Sequence, residues 1–311
     1  MNRRSFLAAS LAAAVPSRAA VKQIDSSRVS AITDEISRSQ AESIEFAHKF
    51  GMQWLSLRDV PVPLTAKKIS YHTLEPDQLK QAAAAFKEAG IKISFLDTPF
   101  LKFDLPGTTP RRMRPEEPAA KEARLARNQK MFDNRMEDLR LGIRASHAFD
   151  CSMMRIFTFT RVAEPESVFP RVADVIGEYA KVCEKEGIRL LIENEASQNA
   201  GTSAETAKLL KILPRNVGIN WDTLNGVPLG EKSFPDGYET LPKDRIWNVH
   251  TKGKSLLDYP DHLDWPGILD ALERDGFTGR LELETHIFGE GQVVASHASM
   301  TEIMRLLKER T

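Results

Sequence analysis

The chain has 311 residues, 41% hydrophobic and 28% charged, enough to bury a sizeable core as one large domain or two small ones. Lys+Arg and Asp+Glu both number 43, so the net charge is zero and no global field favours nucleic acid or an anionic membrane. The two cysteines, Cys151 and Cys183, give no support for a disulfide, and two buried free thiols are expected.

The N-terminus reads as a targeting segment. Asn2-Arg3-Arg4-Ser5-Phe6-Leu7 sets a twin arginine before the apolar run from Leu7 to Val15, and Ser17-Arg18-Ala19 offers a small-x-small cleavage site. The run is too short to span a bilayer, which takes about 20 apolar residues. Residues 1–20 resemble a twin-arginine export signal, which implies a periplasmic or otherwise exported protein. Residues 21–28 read as a linker and 29–311 as the folded domain. Beyond the signal, no other segment reads as a membrane span.

The domain begins with the β-type run Val29-Ser30-Ala31-Ile32-Thr33, followed by Asp34 and Glu35. Ser39 can cap a helix over 40–50, in which Ile44, Ala47 and Phe50 recur at helical spacing. Trp54-Leu55-Ser56-Leu57 is a second strand ending at Arg58, and 59–74 is a loop. Glu75-Pro76 opens a helix that Gly90 closes, and a third strand covers 91–96. The proline-rich segment 97–118 reads as a long loop. A long helix over 119–147, a strand over 152–160 and a helix over 166–186 follow. Four further cycles place strands at 188–194, 216–222, 245–251 and 279–285, with helices at 203–212, 238–243, 265–275 and 292–309. Eight strand–helix cycles predict an α/β fold, a single-domain (β/α)8 TIM barrel, with its site at the C-terminal ends of the strands. No glycine-rich phosphate fingerprint follows the first strand, which speaks against a dinucleotide site.

Four consecutive runs each end on a side chain that can ligate a metal. Ile188 to Glu193, Val217 to Asp222, Ile246 to His250 and Leu281 to Glu284 each close on that residue at the same end of a parallel strand. Glu193, Asp222, His250 and Glu284 are therefore the candidate ligands of one divalent ion. Three carboxylates and one imidazole suit manganese first, with cobalt, magnesium or zinc as alternatives. Strand parity puts Asn220, Asn248 and Glu282 on the same inward faces, as a polar layer beneath the ion. Glu193 and Glu284 would flank a bound carbon chain as acid and base. Lys252 is a candidate catalytic group that could polarise a carbonyl, or a rim lysine in water. His286 could meet a substrate hydroxyl, Asn225 could do the same or form a turn before Gly226, and Glu195 could add a carboxylate behind the ligands. Arg155, inside the fourth strand, needs a partner, which Glu282 or a substrate oxygen would supply.

These motifs resemble the xylose-isomerase-like TIM-barrel superfamily of sugar phosphate isomerases and epimerases over roughly residues 28–309. The marks are Ile32-Thr33-Asp34-Glu35-Ile36-Ser37, Leu57-Arg58, Glu193-Asn194-Glu195, Trp221-Asp222-x-x-Asn225, His250-x-Lys252 and Glu284-x-His286. The resemblance implies one divalent metal on Glu193, Asp222, His250 and Glu284, with the two glutamates doubling as acid and base. Ser56 before Leu57-Arg58, Gly253 after Lys252, and Asn225 in place of a histidine depart from the common pattern and bear on the substrate. The first functional expectation is an isomerase or epimerase of a small carbohydrate, with homo-oligomers open. A lyase or hydratase on keto-glycosides would use the same residues. A non-catalytic periplasmic carbohydrate-binding protein is the reading from another class, and the intact glutamate pair argues against it. A DNA-repair nuclease of the same superfamily needs more histidines than stand here.

Overall fold

The computed structural model describes residues 23–61, 69–111, 115–252, 263–287 and 289–310. The segment expected to be an export signal, 1–20, and the start of the expected linker lie outside the described residues. Asp25 opens a short turn at Ser26–Arg28, and Ile24 is fully buried, its N–H donating to Glu273 at 2.8 Å.

Eight parallel strands form one sheet: β1 (Val29–Ala31), β2 (Trp54–Leu57), β3 (Lys92–Phe100), β4 (Met153–Ile156), β5 (Arg189–Glu193), β6 (Val217–Asp222), β7 (Ile246–Lys252) and β8 (Arg280–Glu284). Their order is β1-β8-β7-β6-β5-β4-β3-β2, and a parallel bridge from Ile32 to Ser56 brings the two ends together. Among the described residues, nine α-helices run between or after them: α1 (Thr33–Ile36), α2 (Gln40–Lys49), α3 (Pro76–Glu88), α4 (Pro118–Ala148), α5 (Phe169–Lys185), α6 (Ser203–Leu210), α7 (Tyr238–Thr240), α8 (Trp265–Arg274) and α9 (Gln292–Glu309). The result is a nearly closed (β/α)8 barrel.

Local chemistry explains the helix bounds. The Ser39 hydroxyl accepts from the Glu42 N–H at the start of α2, and Thr202 and Glu205 form a capping box on α6. Pro76 starts α3, and Gly90, at φ +73°, lets the chain turn out of it into β3. One face of α5 buries Val172, Val175, Ile176, Tyr179 and Cys183 against the sheet. Both cysteines are buried and free. Among the described residues, no helix is long and apolar enough to cross a membrane.

Three differences from the pattern in the sequence bear on the barrel. β3 runs on to Phe100, so Asp97 belongs to a strand, not a loop. Pro99 reads as a breaker, but its missing N–H falls where the β3–β4 register shifts between Leu96 and Phe100, so no ladder bond is lost. β4 stops at Ile156, and the chain swings out through Phe159 at φ +60°. β1 is also shorter than expected, because Thr33 starts the single turn α1.

Candidate metal centre

The strand ladder staggers the four candidate ligands along neighbouring strands. Asp222 pairs with His250, Glu193 with Asn220, two residues before Asp222, and Glu284 with Lys252, two residues past His250. One ligand atom from each of Glu193, Asp222, His250 and Glu284 lies within 4.8 Å of the others, and all four residues are buried. His250 turns Nδ1 toward the carboxylates, 3.0 Å from Glu284 Oε2, 3.6 Å from Asp222 Oδ2 and 3.9 Å from Glu193 Oε1.

Each carboxylate has one oxygen held by the fold and one turned to the common centre. Arg155 Nη1 donates to Glu193 Oε2 at 2.7 Å. The N–H groups of Leu224 and Asn225 donate to Asp222 Oδ1 at 2.8 and 2.9 Å. Arg58 Nη1 lies 3.2 Å and His286 Nε2 3.0 Å from Glu284 Oε1. The remaining oxygens, Glu193 Oε1, Asp222 Oδ2 and Glu284 Oε2, face His250. Buried oxygens of this kind need cationic or donor partners. A divalent ion is a chemically fitting one, since hard oxygens and one imidazole are its usual ligands. Glu282 Oε1, 3.4 Å from His250 Nε2, can accept that ring's second hydrogen when Nδ1 ligates.

The polar layer beneath is also present. Asn248 Nδ2 donates to Asn220 Oδ1 at 2.9 Å and to Glu282 Oε2 at 3.0 Å, and Ser56 Oγ donates to Glu282 Oε1 at 2.7 Å. Asn194 and Asp222 exchange two hydrogen bonds, 2.8 and 2.9 Å, that fix the end of β6 against β5.

Electrostatics follow from this crowding. Burial raises Glu193, an effect only partly offset by Arg155 and His250. Burial would also raise Asp222 and Glu284, but Lys252 and His250 outweigh it and hold both below the usual carboxylate range, Glu284 well below. Burial would lower Arg155, and Glu193 and Asp97 overcome it. Asp97 is fully buried and pushed up to about 6 by burial and by Glu282.

The other sequence-predicted residues separate into two groups. Lys252 and Asn225 stand at the ligand group: Lys252 Nζ donates to Asp222 Oδ2 at 2.8 Å and to Asn225 Oδ1 at 3.0 Å. His286 is half-exposed beside Glu284. Arg155 lies beneath, and its partners are Glu193 and Asp97, not Glu282, because Asp97 sits on the neighbouring strand β3. Glu195 turns away from the ligands to pair with Lys102 at 2.7 Å. Arg155, Glu193, Asn225, Lys252, Glu284 and His286 all border one cavity of about 300 Å³, together with Arg58, Lys102 and Asp97.

Sequence reasoning gave no role to Arg58, Glu35 or Asp97. Arg58 Nη2 bonds Asp34 Oδ2 at 2.8 Å and Glu35 Oε1 at 2.9 Å while Nη1 reaches Glu284. Glu35 Oε2 accepts from the His286 N–H at 2.7 Å. Arg58 carried the same signal as the four ligands, a polar residue closing an apolar run, and Asp97 carried none.

The family model described as xylose isomerase-like TIM barrel matches residues 44–310. A sequence search of curated proteins finds no match. Solved structures of similar fold include the IOLI protein with a zinc atom, with a TM-score of 0.67 at 14% identity, covering 91% of this chain and 99% of that one. The probable 3-DHS dehydratase AsbF from Bacillus anthracis matches with a TM-score of 0.64 at 15% identity, covering 91% and 100%. The 3-keto-D-glucoside 4-epimerase YcjR from E. coli matches with a TM-score of 0.61 at 13% identity, covering 91% and 99%. At such identities the likeness concerns the fold. The family match spans most of the barrel and agrees with its topology, and the chain belongs to the xylose isomerase-like TIM barrel family.

Proposed function

We propose that this protein is a divalent-metal-dependent isomerase or epimerase of a sugar or sugar-like hydroxy-carbonyl compound. The observation that carries the reading is the division of labour in the three carboxylates, one oxygen anchored and one presented to a shared centre. Glu193, Asp222, His250 and Glu284 would hold the ion, with manganese favoured and cobalt, magnesium or zinc also compatible. When bound, such an ion stabilises the negative charge that develops when a C–H beside a carbonyl is deprotonated.

The chain's own groups supply the rest. Glu193 on β5 and Glu284 on β8 approach the cavity from different sides, so one carboxylate can remove a proton and the other return it. Lys252 and Asn225 offer an ammonium and an amide to substrate oxygens, and His286 offers an imidazole at the rim. Arg155 keeps Glu193 oriented from below.

An uncharged substrate fits best. The cationic side chains bordering the cavity already have carboxylates: Arg58 with Asp34, Glu35 and Glu284, Lys102 with Glu195, Arg155 with Glu193, and Lys252 with Asp222. The cavity lining holds four Lys or Arg side chains against five Asp or Glu, so its side chains offer a phosphate no net positive charge. The cavity extends past the ligand group to Ser70, Lys102 and Glu195, which gives a keto-glycoside room and supports lyase or hydratase chemistry as a second reading. The similar fold of a 3-keto-D-glucoside 4-epimerase supports the same class of substrate. Export through the segment 1–20 completes the proposal.

The test is metal content by mass spectrometry, beside an Asp222→Ala variant. About one equivalent in the parent and none in the variant is expected. A parent that stays metal-free after soaking in manganese, cobalt or zinc would sink the reading. A loaded parent then meets a panel of free ketoses and keto-glycosides, in which an isomer marks the first reading and a released aglycone the second.

A further inference from the structure

The three oxygens that face the common centre are already spoken for by two side chains of the chain itself. Lys252 Nζ is 2.8 Å from Asp222 Oδ2 and 3.2 Å from Glu284 Oε2. Asn225 Nδ2 donates to Glu193 Oε1 at 3.1 Å. The two side chains are joined to each other, since Lys252 Nζ donates to Asn225 Oδ1 at 3.0 Å. The ammonium is 6% exposed as a residue and so draws its solvation from these acceptors, not from water. Lys252, on β7, therefore bridges ligand carboxylates from the two strands that flank its own, β6 and β8.

We infer that the Lys252–Asn225 pair is a built-in stand-in for the ion, and that metal loading releases it toward the substrate. The inference rests on the metal reading above. Arg155 and Arg58 hold the outer oxygens of Glu193 and Glu284, but the three inward oxygens of Glu193, Asp222 and Glu284 still crowd one poorly solvated centre, where they repel one another. The pair relieves this repulsion with one positive charge and one amide. An incoming divalent ion competes for these oxygens, and an ammonium already 2.8 and 3.2 Å from two of them opposes it by charge repulsion. Both side chains border the cavity and have it to move into. Loading would then do two things at once: it neutralises the carboxylates and frees an ammonium and an amide for substrate oxygens. Lys252 thereby lowers metal affinity, whereas a purely structural residue would raise it.

The experiment measures manganese binding to the full protein by isothermal titration calorimetry in the parent, Lys252→Met and Lys252→Arg. Removing the charge is expected to tighten binding by about tenfold or more. Lys252→Arg, which keeps the charge, is expected to bind no tighter than the parent. The temperature shift on adding manganese should also be larger for Lys252→Met, because its metal-free form has lost its resident cation. Equal or weaker binding by Lys252→Met, with the parent still binding, overturns the inference and leaves the metal reading intact. Absence of binding in the parent and all variants removes both. Lys252→Gln, measured beside Lys252→Met, answers the same question if the methionine variant fails to fold.

Discussion

Arg155 on β4 and Glu193 on β5 are joined at 2.7 Å inside the barrel, and this contact decides which oxygen of Glu193 faces the centre. The same guanidinium donates to the carbonyls of Asp97 and Thr98, at 2.8 and 3.2 Å. It therefore ties three neighbouring strands together just below the candidate ligands.

Replacing Arg155 with methionine keeps most of the volume and removes the charge. Glu193 and Asp97, 2% and 0% exposed, would lose their cation. Breaking a buried pair in this way costs about 3–5 kcal/mol. Guanidinium unfolding of the parent and Arg155→Met should show that loss in the midpoint at an unchanged slope. A variant as stable as the parent would mean the pair contributes nothing net.

Glu193→Gln and Glu284→Gln each retain an oxygen for the centre and lose the base. Each is expected to lower turnover by about 10²–10⁴-fold, with a smaller change in substrate affinity. Metal content must be measured alongside, so that a lost base is not confused with a lost ligand. Full turnover in either glutamine variant would rule out that glutamate as acid or base.

His72 offers a pH test away from the site. Its ring packs edge-on against Phe100 with centroids 5.2 Å apart, and burial pushes it down to about 4 while Asp59 pulls weakly the other way. The unfolded chain then takes up the proton near pH 6.5 and the folded chain only near 4. The unfolded state binds more protons in between, so His72 contributes its full stability above about 6.5, loses it as the pH falls, and contributes none below about 4. The loss is on the order of 3 kcal/mol. Unfolding at about pH 7.5 and about pH 5 should differ less in His72→Phe than in the parent. Equal differences in the two proteins would count against a buried neutral imidazole.

Gly279 is the tightest point where β8 begins. A Cβ there would meet the Trp247 carbonyl oxygen at 2.1 Å and its carbon at 2.6 Å, both on the backbone of β7. Neither atom can rotate away, so Gly279→Ala must part the two strands. A loss of about 1–3 kcal/mol or more is expected in a thermal melt. Gly177→Ala, with open space at its Cβ, is the matching control and should not destabilise.

Much of the candidate site was legible because strand ends are local features. Glu193, Asp222, His250 and Glu284 each close an apolar run, and parity along the run says which neighbours share the inward face. Asn220, Asn248 and Glu282 followed from that parity alone, and the structure places all three in one buried network. Asp97 was not legible, because Pro99 two residues on looks like the start of a loop. Only the ladder shows that Pro99 sits at a register shift, which lets β3 continue past it.

What the sequence by itself determined is therefore the eight-cycle barrel, the faces of its strands and the residues at their ends. These depend on spacing within segments of a few residues. The tertiary structure alone decided the partners. Arg58 meets Glu284, 226 positions later, and Glu35 meets the His286 N–H, 251 positions later. Both contacts exist because β1 lies beside β8 and the bridge from Ile32 to Ser56 brings β2 up to the same seam. Which oxygen of each carboxylate is anchored, and which is left for an ion, depends on those long-range donors, and no local periodicity encodes them.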